Sequence, residues 1–332
     1  MALPSRGMCV ALLPTGVQSG SEERMEMREK VEVCEVGPRD GLQMIKTVVP
    51  TPVKVRWINQ LFQAGLRHIE VGSFVPPRLV PQMADTEEVV LAARAIPGLH
   101  VIALVPNLKG AQRAHAAGVH KVIVPISVSE SHSLANTRKG TFDQINEVAE
   151  LVRWNKSQER PMRIEAGCST ALGCSMEGVI PLSRLVSVAA RLDEAGVDDI
   201  ALADTVGYGT PQQVRNAIRA TRAAVGGKLT KLHLHDTMGM AIANATVGVE
   251  EGIRSFDSAL AGLGGCPFAP GASGNIVTED LVFLLESMGF DTGIDLAALI
   301  ACRDELRAAL PEEPLRGAVA VAGIPKTFTL AA

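Results

Sequence analysis

The 332-residue chain has few aromatic side chains: 3 % of the total, with a single tyrosine and two tryptophans. Its core must therefore come from Ala, Val, Leu and Ile, which suits a parallel sheet buried under helices. Positive charge is also short, with 32 Lys and Arg against 36 Asp and Glu and a formal net charge of −4. No basic footprint results, and nucleic acid is excluded as an expected partner. No run of 18 or more apolar residues occurs, so no membrane-spanning helix is expected. Cysteine is sparse too. Cys9, Cys34, Cys168, Cys174, Cys266 and Cys302 show no framework spacing, and in a chain this long they read as reduced thiols of a cytosolic protein. Cys168 and Cys174, with five residues between them, are too loosely spaced for a zinc pair. No GxGxxG loop follows an early strand, which disfavours a dinucleotide fold.

What is present is a large core: 47 % of residues are hydrophobic and 20 % charged, the balance of a globular chain. Residues 1–24 stand apart. The weakly apolar run from Met8 to Val17 is interrupted by Pro14 and Gly16, and only Arg6 precedes it. It is read as neither a signal peptide nor a mitochondrial targeting segment. Residues 1–28 are expected to form a disordered extension, with Met25 or Met27 the natural beginning.

From Val31 one rhythm repeats: a short β-branched run, a polar loop, an amphipathic stretch. The runs lie at 31–36, 68–72, 100–105, 120–126, 162–166, 198–203, 231–235 and 255–260. Between Leu182 and Ala195 the apolar positions 182, 185, 186, 189, 190 and 192 mark one covered helix face. Ala-Gly pairs at 64–65, 117–118 and 195–196, with Glu251-Gly252 as a variant, supply left-handed caps before the next strand. Eight such units predict a closed (β/α)8 TIM barrel over residues 29–310, in the α/β class. Further helices are expected at 279–288 and 296–310, and an irregular tail at 311–332.

In such a barrel the active site lies at the C-terminal mouth. The run Lys231-Leu232-His233-Leu234-His235 alternates, so His233 and His235 project from one face of a strand. Closure makes the first, seventh and eighth strands neighbours and brings Asp40, His233, His235 and Asn275 to one metal. Their oxygen and imidazole donors suit Mg²⁺ or Mn²⁺ better than a structural zinc. Gln43, Ser73, Asp204 and Thr205 also sit at strand ends and are the candidate substrate contacts. Asp204 has the alternative role of orienting a histidine.

The motifs EVGPRDGLQ (35–43), EVGSF (70–74), VPQM (80–83), DTVGYGTP (204–211), HLHDTMGMAIAN (233–244) and GLGGCPFAPGASGN (262–275) together resemble the 3-hydroxy-3-methylglutaryl-CoA lyases. That family belongs to the metal-dependent lyase and synthase barrels. The resemblance runs from about Val31 to about Leu310. It implies that Asp40, His233, His235 and Asn275 are metal ligands, Arg39 the catalytic arginine, Cys266 the loop cysteine and Glu70 the barrel glutamate. It also implies an acyl-CoA substrate, a divalent metal, a cytoplasmic homo-oligomer of two or more copies, and the cleavage used in leucine catabolism and ketone-body formation. The chain departs from the family pattern at 129–141 and 166–177, loops that line the mouth. The implied reaction is retro-Claisen cleavage of a 3-hydroxyacyl-CoA. His233 or Asp40 would take the hydroxyl proton, Arg39 would hold the developing enolate oxygen and Cys266 would return a proton. Glu70 either takes part or simply holds Arg39. The alternatives are a condensing synthase of the same superfamily and a barrel retained only for binding.

Overall fold

The structure, a computed structural model, describes residues 28–265 and 274–328. The expected N-terminal extension through residue 27 and the segment carrying Cys266 lie outside the described residues. Strand β1 (Glu32–Glu35) leads to helix α1 (Thr51–Gln63), β2 (His68–Ser73) to α2 (Thr86–Arg94), and β3 (His100–Leu104) to α3 (Leu108–Ala116). After β4 (Lys121–Ser127) come two helices, α4 (Glu130–Thr137) and α5 (Thr141–Lys156). Then β5 (Arg163–Ser169) leads to α6 (Leu182–Ala195), β6 (Asp199–Asp204) to α7 (Pro211–Val225), and β7 (Leu229–Leu234) to α8 (Ala241–Glu250). The last strand is β8 (Ser255–Ser258), followed by α9 (Thr278–Ser287), α10 (Leu296–Ala301), α11 (Arg303–Ala309) and α12 (Ala318–Ala322). The strands pair in parallel in chain order, and β8 closes on β1 from Glu32↔Ser255 to Glu35↔Ser258. The fold is the expected TIM barrel.

Helix α6 covers the sheet with the face its sequence prescribes. In α6, Leu185, Val188, Ala189 and Leu192 are buried at the i, i+3, i+4, i+7 spacing. The chain then reverses at Gly196, whose φ of 86° is left-handed, and Gly65, Gly118 and Gly252 do the same at 110°, 84° and 81°. A side chain there costs about 1 kcal/mol in backbone strain. At Gly65 it would also collide, because a Cβ would lie 2.2 Å from the Gly293 carbonyl oxygen. Helix α7 starts on a capping box between Thr210 and Gln213, with Pro211 in the first turn.

Some expectations are corrected. The helix expected at 296–310 is two helices meeting at Cys302, and the 311–328 segment contains one short helix. Strand β5 runs on to Ser169, three residues past the expected end at 166, so Glu165 lies mid-strand. Helices α3 and α4 carry too few large apolar residues to stand out in the sequence.

The barrel interior is ionic where an aliphatic filling is usual. Lys231 Nζ lies 2.9 Å from Asp257 Oδ1 and 3.5 Å from Glu165 Oε2, while Lys121 Nζ lies 2.5 Å from that same Glu165 oxygen. Strands β5 and β7 are not neighbours, so the Lys231–Glu165 contact crosses the interior. Asp199, held by Arg163 at 2.5 and 2.7 Å, ends the chain of charges. Cys34, Cys168, Cys174 and Cys302 are buried free thiols. Among the described residues no helix is long and apolar enough to cross a membrane.

Candidate metal centre and active site

The mouth is built first by the turn after β1. The Val36 carbonyl accepts the backbone N–H groups of Arg39 (3.1 Å), Asp40 (2.7 Å) and Gly41 (3.4 Å), so the chain winds as a π-turn over Gly37–Gly41. Two glycines make room for it. A Cβ at Gly37 would fall 2.5 Å from Glu35 Oε1, and one at Gly41 would fall 2.8 Å from Leu263 Cβ. Arg39 and Asp40 are thereby presented together at the strand end.

On the other side of the closure, His233 stands on β7. His235 lies one residue beyond the strand, in an antiparallel bridge to Asn275. The Ile276 N–H donates to the Leu234 carbonyl (2.8 Å) and the Asp236 N–H to the Gly274 carbonyl (3.1 Å), which fixes that bridge on both sides. The Asn275 amide then donates to Asp40 Oδ2 (2.8 Å) and to the Leu263 carbonyl (3.1 Å).

The structure thus brings Asp40, His233, His235 and Asn275 together. Ligand atoms of Asp40 and both histidines lie within 4.8 Å of one another. His233 Nε2 is 3.1 Å from His235 Nε2, which is 3.7 Å from Asp40 Oδ2. Both Asn275 amide protons are spent, and its buried Oδ1 has no hydrogen-bond partner among the described residues; nor has His235 Nδ1. Paired imidazole nitrogens, a carboxylate and an unsatisfied carbonyl oxygen form a donor set that fits a divalent cation.

Arg39 bridges this cluster to the barrel wall. Its guanidinium lies 2.5 Å from Asp40 Oδ1 and 2.7 Å from Glu70 Oε2. Burial pushes the Asp40 carboxyl up, but Arg39 and the two histidines outweigh it and hold the group well below the usual carboxylate range. Glu70 is fully buried, and burial raises it to about 7 in spite of Arg39. Glu35 acts as a clamp behind the site. It accepts from Leu260 N (2.9 Å), Gly37 N (2.9 Å) and Thr278 Oγ1 (2.7 Å), tying the Leu260–Gly262 turn to β1.

The expected substrate contacts fare differently. Gln43 is half-buried beside the π-turn, and its Oε1 has no hydrogen-bond partner among the described residues. Ser73 is buried at the end of β2, where its backbone pairs with Thr86 Oγ1. Asp204 accepts from Tyr208 N (3.0 Å) and Gly209 N (2.9 Å), and Thr205 Oγ1 accepts from Thr170 N (2.7 Å). These three shape the mouth loops. Cys266 lies outside the described residues. Lys231 and Asp257, beneath the histidines, were not singled out in the sequence. Counting back by two from His233 reaches Lys231, so the signal was there.

The family model described as HMGL-like matches residues 30–305. The chain is 42 % identical over 276 residues to the rat cytoplasmic 3-hydroxy-3-methylglutaryl-CoA lyase, covering 83 % of this chain and 80 % of that one. Among solved structures it resembles hydroxymethylglutaryl-CoA lyase from Pseudomonas aeruginosa, at TM-score 0.84 and 38 % identity over 89 % of this chain and 97 % of that one. Equally similar is an HMG-CoA lyase from Acenitobacter baumannii in complex with coenzyme A and 3-methylmalate, at TM-score 0.84 and 38 % identity over 90 % and 97 %. With the barrel closed, its ligand cluster at the mouth and the match spanning nearly the whole barrel, the chain belongs to the HMGL-like family.

Proposed function

We propose that the chain cleaves 3-hydroxy-3-methylglutaryl-CoA to acetyl-CoA and acetoacetate, as a cytoplasmic enzyme that associates with itself. The observation that carries this reading is the convergence of Arg39, Asp40, His233, His235 and Asn275 from separate segments onto one mouth. Cleavage takes the proton from the C3 hydroxyl and breaks the C2–C3 bond. The bond's electron pair moves into the thioester as an enolate, C3 becomes the ketone of acetoacetate, and C2 must be protonated.

Asp40, His233, His235 and Asn275 would hold the divalent cation, Mg²⁺ or Mn²⁺ by their oxygen and imidazole character, and bound there it would acidify the hydroxyl and fix its orientation. His233 has both nitrogens engaged, Nδ1 at 3.2 Å from Asp257 Oδ2 and Nε2 facing His235. Asp40, whose carboxylate offers about four lone-pair positions, is then the acceptor beside the cation, although Arg39 and the two histidines make it a weak base. Arg39, fully charged and fixed by two carboxylates, is placed to hold the enolate oxygen as charge develops there. Glu70 holds Arg39. Cys266, in the glycine-rich segment between Gly265 and Gly274, returns the proton to C2. Of the candidate substrate contacts, Gln43 has an atom to offer, and Ser73, Asp204 and Thr205 act by shaping the mouth.

Turnover of a panel of 3-hydroxyacyl-CoA thioesters, alongside acetyl-CoA with several 2-oxo acids, tests the reading. Cleavage with preference for the 3-methylglutaryl chain supports it. Consumption of acetyl-CoA with a 2-oxo acid and no cleavage would make the chain a synthase.

A further inference from the structure

The residues beneath the metal ligands are not explained by the chemistry above. Lys231 and Asp257 are 1 % and 4 % exposed, in the middle of a closed barrel. An isolated charge there costs several kcal/mol, and even a paired one rarely outperforms a well-packed aliphatic pair. Stability alone gives a poor reason for keeping them.

Their geometry supplies another. The β7–β8 register sets His233 directly opposite Asp257 and Lys231 opposite Ser255. Paired residues of adjacent parallel strands share a face, so backbone pairing itself fixes the carboxylate beside the imidazole. Asp257 Oδ2 lies 3.2 Å from His233 Nδ1, and its other oxygen lies 2.9 Å from Lys231 Nζ. Lys231 is held in turn by Glu165 at 3.5 Å. The carboxylate thus has one oxygen tied to a rigid cation and the other accepting from the ring. We propose that Asp257, anchored by Lys231, is the positioning residue that holds His233 as the Nδ1–H tautomer with its Nε2 lone pair turned to the metal.

A carboxylate as acceptor demands a proton on Nδ1, which leaves Nε2 as the only nitrogen able to donate electrons to a cation. His235 lacks such a partner: its Nδ1 has none among the described residues. The two histidines of the same motif are therefore unequal, one preset and one set by the cation. Outer partners of this kind are worth roughly 10–100-fold in metal affinity.

The inference rests on the metal reading, so the experiment separates the two. Full-length wild type and Asp257→Leu, both stripped of metal, are titrated with Mn²⁺ by calorimetry, and the His233 ring tautomer is read from ¹⁵N shifts in the metal-free proteins. The expected result is a Kd raised roughly 10–100-fold in Asp257→Leu and loss of the uniform Nδ1–H signature. Asp257→Glu should recover part of both. Should Asp257→Leu fail to fold with Lys231 unpaired, the double variant Lys231→Met with Asp257→Leu removes the pair together and gives the same two readouts. Wild type that binds no Mn²⁺ overturns the metal reading and this inference with it. Wild type that binds, with the variant unchanged in both Kd and tautomer, overturns only the inference and leaves Asp257 as a charge partner of Lys231.

Discussion

Replacing Glu70 by glutamine tests whether this carboxylate acts on its own or through Arg39. Glu70 is fully buried and lies 2.7 Å from the guanidinium, which also contacts Asp40. Glutamine keeps the shape and one acceptor oxygen but removes the charge. The amide oxygen still accepts from the charged guanidinium but without the carboxylate's own charge, so about 1–2 kcal/mol of restraint on Arg39 is lost. If Arg39 meets the charge that develops in the transition state, kcat falls about 5–30-fold with KM nearly unchanged. The assay is steady-state cleavage of 3-hydroxy-3-methylglutaryl-CoA, repeated in an Arg39→Lys background. Arg39→Lys alone should lower kcat about 100-fold or more, because lysine lacks the planar fork. Glu70→Gln added to it should cost less than about twofold, since the group it positions is already gone. The full 5–30-fold loss in both backgrounds would refute the reasoning and give Glu70 a substrate contact of its own. Glu70→Ala goes further, leaving the guanidinium half unpaired at about 3–5 kcal/mol. At roughly 2 °C per kcal/mol, Tm should drop by about 6–10 °C.

Other outcomes follow from the same geometry. Gly264→Ala places a Cβ 2.8 Å from Asn275 Nδ2 at a φ of 117°, so metal affinity should fall at least about tenfold; an unchanged calorimetric Kd would show the turn can yield. Cys266→Ser should keep metal and substrate affinity but lose most turnover, because a hydroxyl is a far weaker acid than a thiol, and near-wild-type turnover would end the thiol's role. At the opposite pole, the His100 ring stacks on His120 at a centroid distance of 4.9 Å and meets His68 tilted at 5.0 Å, near Lys121 and with Glu32 as carboxylate partner. Burial, then the neighbouring histidines, lower His100 to about 4. The unfolded chain therefore binds this proton first, and stability present above about pH 6.5 is lost as pH falls through about 4. His100→Asn should flatten the decline of Tm across that window, and an identical acid limb would count against it.

Much of this was legible in the sequence. All eight strands lie within a few residues of their expected runs, because β-branched runs between glycine caps leave little choice. The ligand cluster was legible for a topological reason: closure makes β1, β7 and β8 adjacent, and a period of two fixes which side chains face inward. The π-turn was not legible, since its cause is the close approach of Leu263 and Trp57 to two glycines, a contact no local pattern carries. Nor was the ionic interior. A composition rich in Ala, Val, Leu and Ile suggested an aliphatic filling, yet those residues mostly serve the sheet–helix interface. Lys121, Glu165, Lys231 and Asp257 occupy inward positions whose partners stand on other strands. Pairing across a barrel is visible only once the register is known.

The central claim is a metal-dependent cleavage at the mouth, and one measurement addresses it most directly. Full-length protein is stripped with chelator, reloaded with increasing Mn²⁺ or Mg²⁺, and mixed with 3-hydroxy-3-methylglutaryl-CoA while acetyl-CoA and acetoacetate are quantified together. The account predicts no products in the stripped protein and equal amounts of both products on reloading, with turnover tracking occupancy of one site per chain. Equal turnover with and without metal, or metal binding with no acetyl-CoA formed, would contradict it.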